Sequence, residues 1–596
     1  MQKIVIVDFG GQYTHLIARR IRNLGVFSEI SNPEDLKIDS DIIGLIFSGG
    51  PKSVVSSDAF RLDVDLNSIN IPILGICYGH QLLNLMLGGK VESGLSKEYG
   101  FTHITCQKES ILFKGITGQQ QVWMSHGDHV KILPANCRVT AASTNIRIAA
   151  FESLDGMFFG VQFHPEVTHT LMGMKMLDNF VSQCTDTRDW KAENYVGYLI
   201  SKVQRLSENK NLILLLSGGV DSLVTLELCA RALDSSRVFS IHVDTGLMRK
   251  NESSEIMNHF RNLGYTNLKI IEAEEVFLSQ LSGIIDPEKK RAIIGKLFVD
   301  LVHKELNEKI DRENNWMLVQ GTIYPDTIES GDTDKSAKIK THHNRVKEIE
   351  QLIEQGRVIE PISELYKDEV RSLGLQLNLP EDLVQRQPFP GPGLAIRLLA
   401  SDGIHKDTKY DLEEEKLKDI LIDYELKGFI LPVKSVGVQG DFRTYNHPAV
   451  IWNNGHKIIS WRLLRKVSSE LVNNLRTVNR VCFSSLPLKE KPTLTKNLIT
   501  KENLNELRDI DAFFRFETGH LTEIWQMPVI SLPLTDEFGK VFVIRPVSSQ
   551  DAMTADFYEM DFNLLKNLTS IARVRFRSGR VYYDITSKPP GTIEWE

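Results

Sequence analysis

The chain has 596 residues, 42% hydrophobic and 25% charged, with a net charge of −7 at pH 7. The length predicts about three or four domains, and the acidic balance excludes a general attraction to nucleic acid, so an anionic substrate must meet a local basic cluster. No apolar run is long enough to span a bilayer. The six scattered cysteines form no Cys-x-x-Cys pair, which argues against a zinc site or disulfide framework and for the reducing cytoplasm.

Residues Met1 to Asp8 read as a strand rather than a signal peptide, because Asp8 and Gly10-Gly11 follow too soon. The strand-like runs Ile4–Val7, Ile42–Phe47 and Ile71–Ile76 alternate with helical stretches such as Gln12–Leu24. That predicts an open α/β sheet of parallel strands over residues 1–185, with binding loops at the strand C-terminal ends. Gly75-Ile76-Cys77-Tyr78-Gly79-His80-Gln81 puts a cysteine on a sharp turn at a helix N-terminus, a setting for a reactive thiol. A lone cysteine there is more often a small buried residue. Ser48-Gly49-Gly50-Pro51 offers free N–H groups for an oxyanion hole, although alone it is only a turn. In Val161-Gln162-Phe163-His164-Pro165-Glu166, an extended backbone points His164 and Glu166 the same way. Glu166 can then orient the imidazole that takes the thiol proton.

Together these loops resemble the class I (triad) glutamine amidotransferases. The resemblance implies that Cys77 attacks the glutamine amide, with His164 and Glu166 as its partners. It further implies an oxyanion hole from Gly49 and the Tyr78 N–H, and a hold on L-glutamine from Gln81. Met124-Ser125-His126-Gly127-Asp128 is similar to a family segment beside the substrate, and reads equally as a plain loop.

A polar stretch from Ser182 to Arg188 separates this region from a second one, residues 186–387. A helix over residues 191–206 leads into the apolar run Leu212–Leu216, the loop Ser217-Gly218-Gly219-Val220-Asp221-Ser222 and a helix from Leu223. Strand, glycine turn and helix N-terminus make an anion site. An acid beside phosphates is repulsive unless it caps the helix or meets a metal ion, so Asp221 should do one of these. The string resembles the PP-loop of the ATP pyrophosphatases and lacks the Gly-Lys-Ser/Thr of a Walker A loop. The resemblance implies that Ser217, Gly218, Gly219, Val220, Asp221 and Ser222 bind ATP, that AMP passes to a substrate oxygen, and that pyrophosphate leaves. The runs Val238–Val243, Leu268–Ala273 and Trp316–Gln320 predict a second parallel sheet, with Asp244-Thr245-Gly246 beside the PP-loop. Lys289-Lys290-Arg291 reads as a solvated helix start. The stretch from Tyr324 through Lys338 and Lys340 to His342-His343-Asn344 reads as an anion-binding lid or a surface loop, without a metal ligand set.

Residues 388–596 read as an α+β domain, entered through Arg386-Gln387-Pro388-Phe389-Pro390-Gly391-Pro392-Gly393-Leu394. This junction and the tail Asp584-Ile585-Thr586-Ser587-Lys588-Pro589-Pro590-Gly591-Thr592-Ile593-Glu594-Trp595-Glu596 resemble the GMP synthetases almost letter for letter. With the other two regions, the resemblance to the glutamine-hydrolysing members of that family covers essentially the whole chain. It implies a ligase that adenylates O2 of XMP and displaces AMP at C2 with ammonia to give GMP. Mg2+ accompanies ATP, and no prosthetic group is implied. By family position, XMP contacts map onto Arg291, Asp441, Gln526, Lys588 and Glu594. The domain exceeds the compact dimerisation domain of many bacterial members and contains a weak repeat. Leu431-Pro432-Val433 answers Met527-Pro528-Val529, and Asn479–Phe483 answers Gly579–Tyr583. Two copies packed in one chain would replace a contact between subunits, giving a monomer or weak homodimer. NAD or asparagine synthetases are the nearest rival ligases, and the tail speaks against them.

Overall fold

The computed structural model describes residues 2–596 apart from 12, 58, 61, 63, 108, 192–194, 263, 266, 314, 325–354, 405–409, 440–441, 454–458, 550–554, 577 and 589. Asp441 and the histidine-containing stretch around Lys338–Asn344 therefore lie outside the described residues. The chain forms two compact units, Met1–Tyr195 and Val196–Glu596.

The first unit is built on β1 (Lys3–Val7), α1 (Thr14–Asn23), β2 (Phe27–Ser31), β3 (Ile42–Phe47), β4 (Ile73–Ile76), α2 (Tyr78–Met86), β5 (Lys90–Cys106), β6 (Gln119–Ile132), β7 (Cys137–Ser143), β8 (Ala150–Ser153), β9 (Phe158–Val161) and α3 (Gly173–Cys184). Its nine strands form one sheet, ordered β2-β1-β3-β4-β9-β8-β7-β5-β6. The half from β2 to β9 is parallel. These strands are apolar on both faces because helices cover both. Ile4, Ile6, Ile46 and Leu74 pack with Ile17, Ile21, Met176 and Leu177 of α1 and α3. Val5, Val7, Leu45 and Phe47 pack with Leu82 and Leu83 of α2. The expectation of parallel strands fails beyond β9, where β8, β7, β5 and β6 pair antiparallel. β6 alternates buried residues such as Val122 and Met124 with more exposed ones, so it needs cover on one face only.

The second unit opens with α4 (Val196–Ser207), β10 (Asn211–Leu215), α5 (Val220–Ala232), β11 (Val238–Asp244), α6 (Glu252–Asn262), β12 (Leu268–Glu272), α7 (Glu274–Leu281), α8 (Pro287–Glu313), β13 (Trp316–Val319), β14 (Val358–Ile359), α9 (Lys367–Gln376) and α10 (Glu381–Val384). Its first sheet, β12-β11-β10-β13-β14, is parallel throughout. The unit continues through α11 (Asp411–Ile422), β15 (Leu426–Ile430), β16 (Ser435–Gln439), β17 (Phe442–Asn453), α12 (Trp461–Asn474), β18 (Val478–Ser484) and β19 (Thr493–Leu494). It ends with α13 (Lys501–Thr518), β20 (Val529–Asp536), β21 (Gly539–Ile544), β22 (Val547–Ser549), β23 (Ala555–Phe557), α14 (Phe562–Arg575) and β24 (Val581–Asp584). One hydrophobic core runs from Ile213, Ile241 and Leu318 of the parallel sheet to Val481, Phe542 and Ile585 of this region.

The repeat is present as two copies of the same path. In the large sheet β15–β17 answers β20–β21 as an antiparallel pair and β18 answers β24, while β16 pairs with β17 off that path and β22–β23 form a separate pair. The first string match of the repeat does not coincide in the fold: Leu431–Val433 follows β15, whereas Met527-Pro528 precedes β20 and Val529 begins it. At the centre of the sheet β18 and β24 pair antiparallel, Cys482 opposite Asp584 and Phe483 opposite Tyr583. β17 flanks β18 in parallel and β21 flanks β24 in parallel, so the pattern reads the same from either side. The chain following each copy crosses to the other. β19, after the first copy, pairs with β20 of the second. The tail after β24 pairs with β16 of the first, through a Gly437–Gly591 bridge and bonds from Val436 N to Trp595 O (2.8 Å) and Val438 N to Pro590 O (2.7 Å).

Candidate active sites

Cys77 stands between β4 and α2 with φ +54° and ψ −105°, a conformation non-glycine residues rarely adopt. Close packing enforces the turn. A Cβ on Gly79 would lie 2.2 Å from Phe47 O, and one on Gly75 would lie 2.4 Å from Gly79 O. Gly49 sits over the thiol, where a Cβ would approach His164 Cε1 to 3.3 Å and Cys77 Cβ to 3.8 Å. Tyr78 is buried beneath, its hydroxyl donating to Phe60 O at 3.0 Å.

His164 Nδ1 lies 2.7 Å from Glu166 Oε1, with both side chains buried. The residues follow β9 in a turn, so the contact does not come from the strand periodicity that the sequence suggested. Burial opposes a charge on His164, yet Glu166 and the Cys77 sulfur outweigh it and hold the imidazole pKa well above 6.5. Gln162, inside the same motif but given no role from sequence, is fully buried and directs Nε2 at Cys77 Sγ from 3.8 Å. Its Oε1 accepts from Gln81 Nε2 at 3.1 Å, and Gln81 also donates to Asp128 O at 2.8 Å. The Met124–Asp128 segment is part of β6 rather than a loop, and Ser125 O faces Cys77 Sγ at 3.5 Å. The structure thus brings Cys77, His164, Glu166, Gly49, Tyr78 and Gln81 together.

In the second unit Ser217, Gly218 and Gly219 join β10 to α5, with Gly218 at φ +79°. Ser217 Oγ and Ser222 Oγ are 3.2 Å apart, Gly219 N donates to Ser217 Oγ at 3.3 Å, and Val220 begins the helix. Asp221 does not cap α5; it pairs with Lys367 at the start of α9. Its other oxygen, Oδ1, is buried without a hydrogen-bond partner among the described residues. Lys367 was missed because it is 146 residues away in sequence. Arg371, one turn later, is held below its ordinary pKa by burial, with Asp221 and Asp368 opposing that shift. The β11 end carrying Asp244 does lie beside the loop, since Leu216 N donates to Ile241 O at 2.8 Å.

Of the residues mapped to the nucleotide acceptor, Gln526 and Glu594 meet, Gln526 Nε2 donating to Glu594 Oε1 at 3.2 Å. Arg291 binds Glu288 Oε1 at 2.8 Å and Glu596 O at 2.5 Å, which ties α8 to the tail near Glu594. Lys588 is half-buried where the tail leaves β24. Lys290 is not the solvated residue expected. It is fully buried and donates to Ala395 O (3.1 Å), Leu398 O (2.9 Å) and Glu596 Oε2 (2.5 Å). Burial pushes the Glu596 carboxyl up to about 7 despite Lys290 and Arg291.

Comparison with known proteins identifies the families that each part of the chain matches. The family described as glutamine amidotransferase class-I matches residues 5–184. The NAD synthase family matches residues 191–293 only, the PP-loop portion. The GMP synthase C terminal domain matches residues 415–496 and 517–595, one segment in each copy of the repeat. A "Probable GMP synthase (glutamine-hydrolyzing)" of Leptospira interrogans is 40% identical over 615 residues, covering 100% of this chain and 99% of that one. The GMP synthase of Caldicellulosiruptor saccharolyticus is 41% identical over 83% of this chain and 98% of its own, and that of Listeria innocua 41% over 83% and 97%. A relationship that extends through both units and both copies of the repeat has one reading: the chain belongs to the family of glutamine-hydrolysing GMP synthases.

Proposed function

We propose that the chain makes GMP from XMP, ATP and L-glutamine, with one reaction in each unit. In the first unit His164 takes the Cys77 thiol proton and the thiolate attacks the glutamine side-chain carbonyl. The C–N bond breaks as His164 protonates the departing ammonia, and water then releases glutamate from the γ-glutamyl thioester. Gly49 and the Tyr78 N–H stabilise the oxyanion, and Gln81 helps hold glutamine. In the second unit O2 of XMP attacks the α-phosphorus of ATP, pyrophosphate leaves, and adenyl-XMP forms. Ammonia adds at C2, gives up a proton, and AMP departs. Ser217 to Ser222 cradle the phosphates, while Arg291, Asp441, Gln526, Lys588 and Glu594 hold the acceptor nucleotide.

Mg2+ suits this site. Asp221 Oδ1, buried and unpartnered among the described residues, is a hard oxygen donor, and magnesium is commonly held by one or two carboxylates plus phosphate oxygens. No cluster of three acidic or thiol or imidazole ligands occurs among the described residues, so the phosphates would supply most of its ligands. The ion would offset phosphate charge as pyrophosphate departs.

The observation that carries the reading is the Cys77–His164–Glu166 constellation in the same chain as a PP-loop. No helix among the described residues is long and apolar enough to cross a membrane. The cytoplasm keeps a catalytic thiol reduced and suits the chemistry. The test is GMP formation with glutamine or ammonium as donor. Cys77→Ala should lose glutamine-driven synthesis and keep ammonium-driven synthesis. Loss of both would sink the two-site reading.

A further inference from the structure

Arg397 was given no role by the sequence, yet it is the side chain that holds Glu594. It follows the short helical turn Gly393–Ile396 at the end of the Pro/Gly junction. Its backbone is fixed on β20, because Ser531 N donates to Arg397 O at 2.8 Å and Leu399 N donates to Ser531 O at 3.0 Å. Its side chain is fully buried. Nε donates to Glu594 Oε2 at 3.1 Å and Nη2 to Glu594 Oε1 at 2.8 Å, a two-pronged pair that fixes the carboxylate plane. Nη1 lies 3.8 Å from the buried Asp511 Oδ1, and the guanidinium stands 5.0 Å from the centre of the Phe389 ring. Burial works against this charge, but Glu594, Asp511 and Glu252 raise the Arg397 pKa overall. The guanidinium is thus restrained by strand, ring and second acid before it meets Glu594.

Glu594 is restrained in turn. Oε1 accepts from both Arg397 and Gln526, Oε2 among the described residues from Arg397 alone, and 18% of the side chain remains exposed. The open acceptor capacity therefore lies on Oε2, and a carboxylate offers only acceptors. We propose that Arg397 is a positioning residue for the nucleotide acceptor: it clamps Glu594 so that the carboxylate accepts a hydrogen bond from a donor on XMP, a ribose hydroxyl or a ring N–H. The proposal rests on the reading that Glu594 meets XMP.

The test is ammonium-driven GMP synthesis by the full chain at saturating ATP with XMP varied, which bypasses Cys77. Arg397→Lys keeps a positive charge opposite Asp511 but loses the two-pronged geometry. It should raise KM for XMP about tenfold, the cost of a charge-assisted hydrogen bond, with a much smaller change in KM for ATP. In a Glu594→Ala background the same substitution should add little, because its effect passes through Glu594. Should Arg397→Lys fail to fold, Glu594→Asp withdraws the carboxylate from the clamp by one methylene and should reproduce the KM rise. Multiplying effects in the double variant, or an unchanged KM in Arg397→Lys, would overturn the proposal alone. An unchanged KM in Glu594→Ala would overturn the Glu594 assignment and the proposal with it. Repeating the series with XMP lacking both ribose hydroxyls separates the donors: if the Glu594 effect persists, the ring N–H is the donor, and if it disappears, the ribose is.

Discussion

Arg480 of the first repeat copy donates to Asp584 of the second at 2.9 Å, and neither side chain has any exposure to solvent. Arg545 reaches the same carboxylate at 2.8 Å and Trp595 Nε1 donates to it at 2.9 Å. Arg480 also donates to Val436 O, Thr592 O and Glu594 O, each at 2.9 Å, which binds the first copy's hairpin to the second copy's tail. Burial pushes the Arg480 guanidinium down to about 10 with Arg545 adding to the effect, and Asp584 resists it. Asp584→Asn leaves two buried guanidinium groups without their shared counter-charge and should destabilise this unit by about 3–5 kcal/mol. The check is the denaturant midpoint of the full chain, compared between variants rather than converted to a single free energy. Burial alone would raise the Asp584 pKa, but Arg545 and Arg480 lower it below 3.8. Its contribution is therefore present above that value and lost as pH falls through the depressed pKa, an acid-induced loss that Asp584→Asn should lack.

The central β18–β24 pairing is satisfied within one chain, so no second molecule is needed to complete the sheet. Sedimentation should give a single-chain mass near 67.6 kDa. A tight dimer through this sheet would contradict the expectation.

Lys367 neutralises Asp221 on the phosphate-binding loop. Without it less positive charge faces the Asp221 carboxylate as an anionic ligand approaches. Lys367→Met should raise KM for ATP by about 10–100-fold, the range for losing a hydrogen bond to a charged group, while glutamine hydrolysis measured without nucleotide stays unchanged. Pyrophosphate release with either nitrogen donor reads the effect.

Glu166→Gln tests the imidazole. Burial opposes the His164 charge, and removing Glu166 removes the largest influence on the other side. The His164 pKa should fall, and the alkaline limb of the glutaminase profile should move to lower pH with a rate loss of about 10²-fold or more. The raised pKa also fixes the sign of a stability effect. The His164 contribution is whole below about 6.5 and is lost as pH rises through the higher folded value, so the variant should lose less stability over that interval.

Much of this arrangement was legible because it is local. The run Leu212–Leu216 is apolar throughout, and the strand it forms, Asn211–Leu215, differs by one residue at each end. The turn at Cys77 was readable because its glycines stand beside it. The antiparallel half of the first sheet was not, since Lys90–Cys106 mixes Glu92, Ser93, Lys97, Glu98 and His103 with few apolar residues, and its partners are set by long-range pairing. Lys367 and Arg397 escaped for a related reason. Arg397 lies 197 residues from Glu594, and only the folded chain brings them within bonding distance. Gln162 carried a signal that could have been used: a polar residue embedded in the apolar stretch before His164.

The reciprocal crossing of β19 and the final tail carries an evolutionary consequence. In a pair of identical chains, a substitution in the tail or the hairpin appears twice, and both resulting sites must tolerate it. Here each element is encoded once. The first copy carries the β16–β17 hairpin that the tail joins, and its own trailing segment contributes the short β19. The second copy keeps Lys588 and Glu594 on its tail, while its hairpin closes through the tight turn Glu537-Phe538. Each element can therefore change without imposing the same change on a mirror-image partner.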